Sequence, residues 1–290
     1  MVLRLTALVL ILAGVVVACS SPATPTGTPA RPTASIAPSS GTSSPGSTPT
    51  ETATPSPSPD TTPTPTPTPK PTSPPTPTPP ASSGALPTCA YKDVLTTHRA
   101  YADWAVTLVD TIYRLPSTYV PSDLVNTSKA GLTSGFYVRG LVIDDLTTMA
   151  ADARAAGARL AVESAFRSYK TQIGTFDYWV NLAGYEAALL ASARPGHSEH
   201  QLGTSIDFKS YGGSAPWNSD DWGTTAAGAW MATNAWKYGW VMSYPPDSSP
   251  ALTCYKYEPW HFRYVGRETA AAMHDSGQPP RQWLWEHGAI

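Results

Sequence analysis

Beyond about residue 86, apolar positions recur at two spacings, one close to a helical turn and one alternating, and these divide the chain into elements. Tyr101, Trp104, Ala105, Leu108, Val109 and Ile112 follow the helical spacing and predict an amphipathic helix over 93–115, closed by Pro116. A second helix is predicted over 143–156, stopped by Gly157, and then a short strand, 159–163, that delivers Ser164 to a strand end. Residues 169–193 read as one further helix ended by Pro195 and Gly196, and 226–238 as another before Gly239. Residues 204–208, 240–242 and 262–265 have strand character. Helices outside a small, mostly antiparallel sheet predict an α+β domain.

This patterning is absent from residues 20–85, where there is no aromatic residue, Ile36 is the one large aliphatic, and charge is limited to Arg31, Glu51, Asp60 and Lys70. Such a segment cannot bury enough apolar surface to offset the entropy of ordering it. Its Thr-Pro pairs from Thr61 to Pro80 favour extended polyproline II, so 20–85 reads as a disordered spacer. The 10 Trp, 14 Tyr and 5 Phe all lie beyond it, enough for a single folded domain over 86–290. A formal net charge of −2 without a dense basic patch argues against nucleic acid as a partner, and a monomer is expected. At the other end, Arg4 precedes an apolar run, 5–18, too short to span a bilayer comfortably and proportioned like the core of an export signal.

Three stretches carry candidate chemistry: Ser164 to Gln172, Ser198 to Asp207, and Glu258 to His261. His200, Asp207 and His261 offer two imidazoles and a carboxylate, a set that leaves zinc one open position for water. A His beside an Asp also occurs as a plain hydrogen-bonded pair, and residue types alone leave both readings open. Gly203 interrupts any element between His200 and Asp207, so His200 is expected in a turn and Asp207 on the strand that follows. Pro259 disfavours helix at Glu258, which suits a division of labour: His261 binds the metal while Glu258 stays off it as general base. Arg167 is the candidate cation for the oxyanion. His98, His197, His274 and His287 are given no role.

Two resemblances extend this. Val16-Val17-Ala18-Cys19 resembles the lipobox of bacterial lipoprotein signal peptides, which implies a signal over 1–19, lipid on Cys19, and attachment to the outer face of a bacterial cytoplasmic membrane. Ordinary secretion with an incidental cysteine is the alternative. With Cys19 assigned to lipid, Cys89 and Cys254 remain as an even pair and are expected to form a disulfide, the alternative being two buried thiols.

The three stretches, in this order and with these internal spacings, resemble the zinc D-alanyl-D-alanine carboxypeptidases of the VanY type, relatives of the VanX dipeptidases. Tyr238-Gly239-Trp240 to Tyr244-Pro245 and His261-Phe262-Arg263-Tyr264-Val265-Gly266 share in the likeness. The resemblance implies a VanX/hedgehog-like fold, one zinc ion on His200, Asp207 and His261, Glu258 as catalytic base, and Arg167 on the scissile carbonyl or its oxyanion. It implies substrate contacts from Gln172, Ser198 and Trp260, and peptidoglycan stem peptides as substrates, cut to release the terminal D-alanine. Where some members carry Arg before Tyr-Pro, this chain has Ser243, so a carboxylate-binding role there does not transfer. An endopeptidase acting within the stem, and a wall-binding lipoprotein without catalysis, are the competing readings.

Overall fold

Ile206 and Phe208 alternate with Ser205 and Asp207, and Phe262 and Tyr264 with His261 and Arg263, so two strands each carry one apolar and one polar face. In the computed structural model, which describes residues 84–246 and 250–288, the apolar face is buried under helices and the polar face carries the candidate chemistry. The expected signal, Cys19 and the spacer up to residue 83 lie outside the described residues.

Among the described residues the elements run β1 (Val94–Leu95), β2 (Tyr113–Arg114), β3 (Leu124–Asn126), β4 (Tyr137–Arg139), α1 (Ile143–Ala155), β5 (Leu160–Ser164), α2 (Tyr169–Ala183), α3 (Tyr185–Ala191), β6 (Ser205–Ser210), α4 (Ala226–Asn234), β7 (Trp240–Met242), α5 (Pro250–Thr253), β8 (His261–Tyr264), α6 (Arg267–Ser276) and α7 (Pro280–His287). The main sheet has the order β5-β6-β8-β7 with every neighbour antiparallel, and the class is α+β as expected. β1 and β2 form a separate parallel pair, and β3 and β4 an antiparallel one.

Leu146, Met149 and Ala153 of α1 and Ala227 and Met231 of α4 pack on Leu160, Val162, Ile206, Phe208, Phe262 and Tyr264 of the sheet. Phe208 meets Trp240 and Phe262 edge-on, with ring centroids 5.9 and 6.1 Å away, a geometry worth about 0.5–1.5 kcal/mol per pair beyond area burial. This layer makes the sheet a rigid floor for what stands on its other face.

Most of the predicted elements are present. The helix expected over 143–156 is α1, the strand over 159–163 is β5, and β7 has the expected bounds. The single helix over 169–193 is two, because Gly184 takes φ 85° and ψ 163° between α2 and α3, a conformation that ends the helical hydrogen-bond ladder and that glycine adopts freely. The helix expected over 226–238 is α4 followed by a turn of 3-10 helix, Ala235–Tyr238.

The helix predicted over 93–115 does not form. Tyr101 of its apolar stripe is exposed, and of the buried positions Leu108 joins a cluster with Val265, Met273 and Trp283, whereas Val109 and Leu115 join one with Tyr119 and Leu202. One helix face cannot serve both. The segment instead runs irregularly, and side chains satisfy its backbone: Asp110 accepts from the Ile112 and Tyr113 amides at 2.7 Å, and Arg263 donates to the Trp104 and Thr107 carbonyls at 2.8 Å. Asp110 is itself held by Arg281 of α7 at 2.7 Å, with both side chains buried.

The expected disulfide joins Cys89 and Cys254, with Cα atoms 5.4 Å apart. It ties the start of the described chain to the segment just before Glu258.

Candidate metal centre

The sheet register assembles the site. Asp207 of β6 lies directly opposite His261 of β8, and on its other side Asp207 is paired with Ser164 of β5. The second pairing exists because register slips by one residue between Val162 and Ser164; without the bulge, Glu163 would oppose Asp207. Three segments distant in sequence thus place Ser164, Asp207 and His261 in one row on the polar face.

His200 enters from a 3-10 turn, Glu199–Leu202, just before β6. Gly203 ends that turn at φ 74°, where a side chain would be strained and its Cβ would press on Arg139 Cγ at 3.0 Å. The His200 ring is pinned by Nδ1, which donates to the Ala165 carbonyl at 2.7 Å, and this turns Nε2 toward Asp207 Oδ2 at 3.1 Å. His261 Nδ1 lies 3.0 Å from Asp207 Oδ1, and the two imidazoles meet edge-on at 4.9 Å. One potential ligand atom from each of His200, Asp207 and His261 falls within 4.8 Å of the others, and all three residues are buried.

Electrostatics favours ligation. Burial, reinforced by the Arg167 charge, pushes the His200 imidazole down to about 4, which leaves it neutral with a free lone pair. Burial opposes ionisation of Asp207, but its interactions with His200 and His261 outweigh this and hold the carboxyl well below the usual range. Burial likewise opposes charge on His261, yet its hydrogen bonds to Asp207 and Glu199 carry it to about 10, so a metal here displaces a proton. Two imidazoles and one carboxylate are the donor set of an open zinc site, and each ring's second nitrogen has an acceptor of its own. The residues present therefore fit a zinc ion.

Glu258 stands at the turn before β8, its amide donating to the Tyr244 carbonyl at 3.1 Å. Its carboxyl lines the same cleft as the three candidate ligands without belonging to their cluster. Burial pushes it up to about 7, with His261 and Arg167 opposing and Asp207 and Glu199 adding to the rise. A carboxyl poised there can both take and return a proton near neutral pH.

Arg167 reaches the site from the loop between β5 and α2. It donates from Nε to Gln172 Oε1 at 2.9 Å and from Nη1 to Ser164 Oγ at 2.6 Å, with Asp207 Oδ2 at 3.4 Å. Burial lowers its pKa while the Asp207 and Glu258 carboxylates oppose the shift, and the side chain keeps 21% exposure toward the cleft.

The remaining expected residues separate. Ser198 and Trp260 line the cleft, and the Trp260 ring meets Trp217 at 6.1 Å. Gln172 does not line it: the residue is 1% exposed, and its amide spans Arg167 and the Ala193 carbonyl, which orients Arg167 instead of presenting a face to substrate. The cleft has a volume of about 800 Å³, and its lining includes Tyr178, Trp179 and Leu190 of α2 and α3 and Trp217, Tyr257 and Trp260. His197 is buried between the Asp110 carbonyl and Asp93, outside the cluster.

Sequence reasoning missed Glu199, Arg263 and Ser243. Glu199 Oε2 is 2.9 Å from His261 Nε2 and accepts from Ser243 Oγ at 2.6 Å, and its Oε1 accepts from Arg263 at 3.0 Å. Burial pushes Glu199 up, but His261, Arg263 and Ser243 outweigh it and hold the carboxyl at about 2. The alternation in β8 could have placed Arg263 on the face of His261; nothing in the local pattern singles out Glu199.

The chain is similar to known proteins. The family model described as VanY: D-alanyl-D-alanine carboxypeptidase matches residues 135–267. YodJ of Bacillus subtilis (strain 168), named as a carboxypeptidase, is 40% identical over 173 residues, 58% of this chain and 63% of its own length. A D-alanyl-D-alanine carboxypeptidase of Enterococcus faecium is 33% identical over 175 residues, 57% of this chain and 52% of its own length. The chain thus spans less than two thirds of these relatives. Among solved structures, the LdcB LD-carboxypeptidase superposes with TM-score 0.55 at 37% identity, covering 62% of this chain and 85% of that one. A D,D-pentapeptidase VanY from a VanB-type vancomycin resistance cassette, in complex with Zn(II), superposes with TM-score 0.53 at 27% identity, covering 62% and 99%.

Proposed function

The chain belongs, through residues 135–267, to the VanY family of D-alanyl-D-alanine carboxypeptidases, and from that premise we propose that it hydrolyses the C-terminal D-alanine from peptidoglycan stem peptides with one zinc ion. The observation that carries the proposal is the register pairing of Asp207 with His261, with His200 turned onto both and Glu258 left free in the same cleft. A closed structural zinc site takes four protein ligands; among the described residues this cluster has three, which favours catalysis over a purely structural or wall-binding role.

When bound, zinc supplies Lewis acidity that brings a water to a pKa of about 7 and polarises the scissile carbonyl. Glu258 takes the proton of the attacking water and returns it to the leaving amine, a double duty that suits a carboxyl held near neutrality. Arg167, fixed by Gln172 and Ser164, directs its charge at the carbonyl oxygen as negative charge develops there. The cleft admits several residues of a stem peptide, with Ser198 and Trp260 on its wall. The proposal extends to the whole chain: lipid on Cys19 and the Thr-Pro spacer tether the enzyme to the outer face of the membrane while letting it reach the wall.

Mass spectrometry of defined stem peptides incubated with the zinc-loaded full chain tests this. Loss of a single terminal D-alanine from a pentapeptide supports D,D-carboxypeptidase action, and from a tetrapeptide L,D-carboxypeptidase action. Cleavage only within the stem or cross-bridge makes it an endopeptidase, and intact peptides beside bound zinc sink the enzymatic reading.

A further inference from the structure

Each candidate metal ligand on a histidine has a second ring nitrogen, and the two rings are oriented in opposite senses. His200 spends Nδ1 on the Ala165 carbonyl and turns Nε2 to Asp207. His261 turns Nδ1 to Asp207 and Nε2 to Glu199. Ala165 fixes the first choice by a backbone carbonyl, which no side-chain substitution removes. The second depends on one side chain.

Resting on the zinc reading above, we propose that Glu199 is a positioning residue: its carboxylate accepts the Nε2–H of His261 and so commits Nδ1 to the metal. Glu199 sits on the far side of the imidazole from Asp207, which keeps it out of the ligand cluster. An acceptor on the second nitrogen fixes both tautomer and ring orientation and raises the basicity of the ligating nitrogen.

The carboxylate is itself held from two directions. Ser243 Oγ donates to Oε2 at 2.6 Å, and Nη1 of Arg263 donates to Oε1 at 3.0 Å. Arg263 has 0% exposure and spends Nη2 on the carbonyls of Trp104 and Thr107, so the irregular segment before β2 is wired through Arg263 and Glu199 to the metal ligand. Ser243 has this carboxylate as its partner. A purely structural Glu199–Arg263 ion pair would leave the tautomer of His261 and the zinc affinity unaffected.

The test uses the full chain. Long-range ¹⁵N correlation of the zinc-loaded wild-type protein reads the His261 tautomer without any mutation; we expect Nε2–H with Nδ1 on the metal. Competition with a chromogenic chelator reads zinc affinity, and Glu199→Gln should weaken it about 10- to 100-fold. Because Glu199→Gln leaves the Arg263 charge buried without its counter-ion, the pair Glu199→Gln with Arg263→Met is measured beside it and should show the same loss. Zinc on Nε2 with Nδ1 protonated, or wild-type affinity in both variants, overturns the role of Glu199 while the carboxypeptidase reading stands. A wild-type chain that takes up no zinc overturns both.

Discussion

Glu258 and His200 differ in one decisive respect: His200 Nε2 is turned to Asp207 within the cluster, and Glu258 lines the cleft outside that cluster. Their substitutions should therefore separate. His200→Ala should abolish both zinc binding and peptide hydrolysis, read by metal analysis and product formation. Glu258→Gln should keep zinc and peptide binding while kcat falls about 10²- to 10⁴-fold; an unchanged kcat would remove it from proton transfer. Arg167→Ala should lower kcat about 10²- to 10³-fold if it faces the developing oxyanion. That His200, Asp207 and His261 cluster, with Glu258 and Arg167 lining the same cleft, was legible because each lies in a short stretch whose residue types and internal spacing are themselves the signal. Glu199, Ser243 and Arg263 were not, since their partnership arises only when residues 44 and 64 positions apart close on one another.

Alternation made the strands readable, because a half-buried strand must place its apolar residues at every second position. Helical spacing was less decisive, and the segment 93–115 shows why. Leu108 and Val109 are both buried, as a helix would have them, but they join two separate clusters. Tertiary burial decided their conformation over local period. Asp110 holds the resulting turn, capping two amides and pairing with Arg281, with side-chain exposures of 3% and 4%. Asp110→Ala should thus destabilise the fold by about 3–5 kcal/mol, because it leaves the Arg281 charge buried alone. Equilibrium denaturant unfolding checks this; a loss below about 1 kcal/mol would mean that the segment holds itself.

For the molecule as a whole, the Gly84 carbonyl accepts from Trp285 of α7 at 2.8 Å, which ties the start of the described residues to their last helix. The Cys89–Cys254 bond closes a span of 165 residues, so replacing both cysteines with alanine should cost about 2–5 kcal/mol of stability, read from the unfolding midpoint without reductant. If Cys19 carries lipid, Cys19→Ser should move the protein from the membrane fraction to the medium or wall fraction, while the activity of the released protein is retained. Sheet and turn bring three residues from separate stretches together, and the proposed function requires them to share a cation and leave it one open position. The most direct test is an anomalous difference map at the zinc edge from crystals of the zinc-loaded protein. A single peak bonded to His200, Asp207 and His261, with Glu258 beside it and unbonded, is the predicted result; no peak there, or a fourth protein ligand closing the site, would contradict the account.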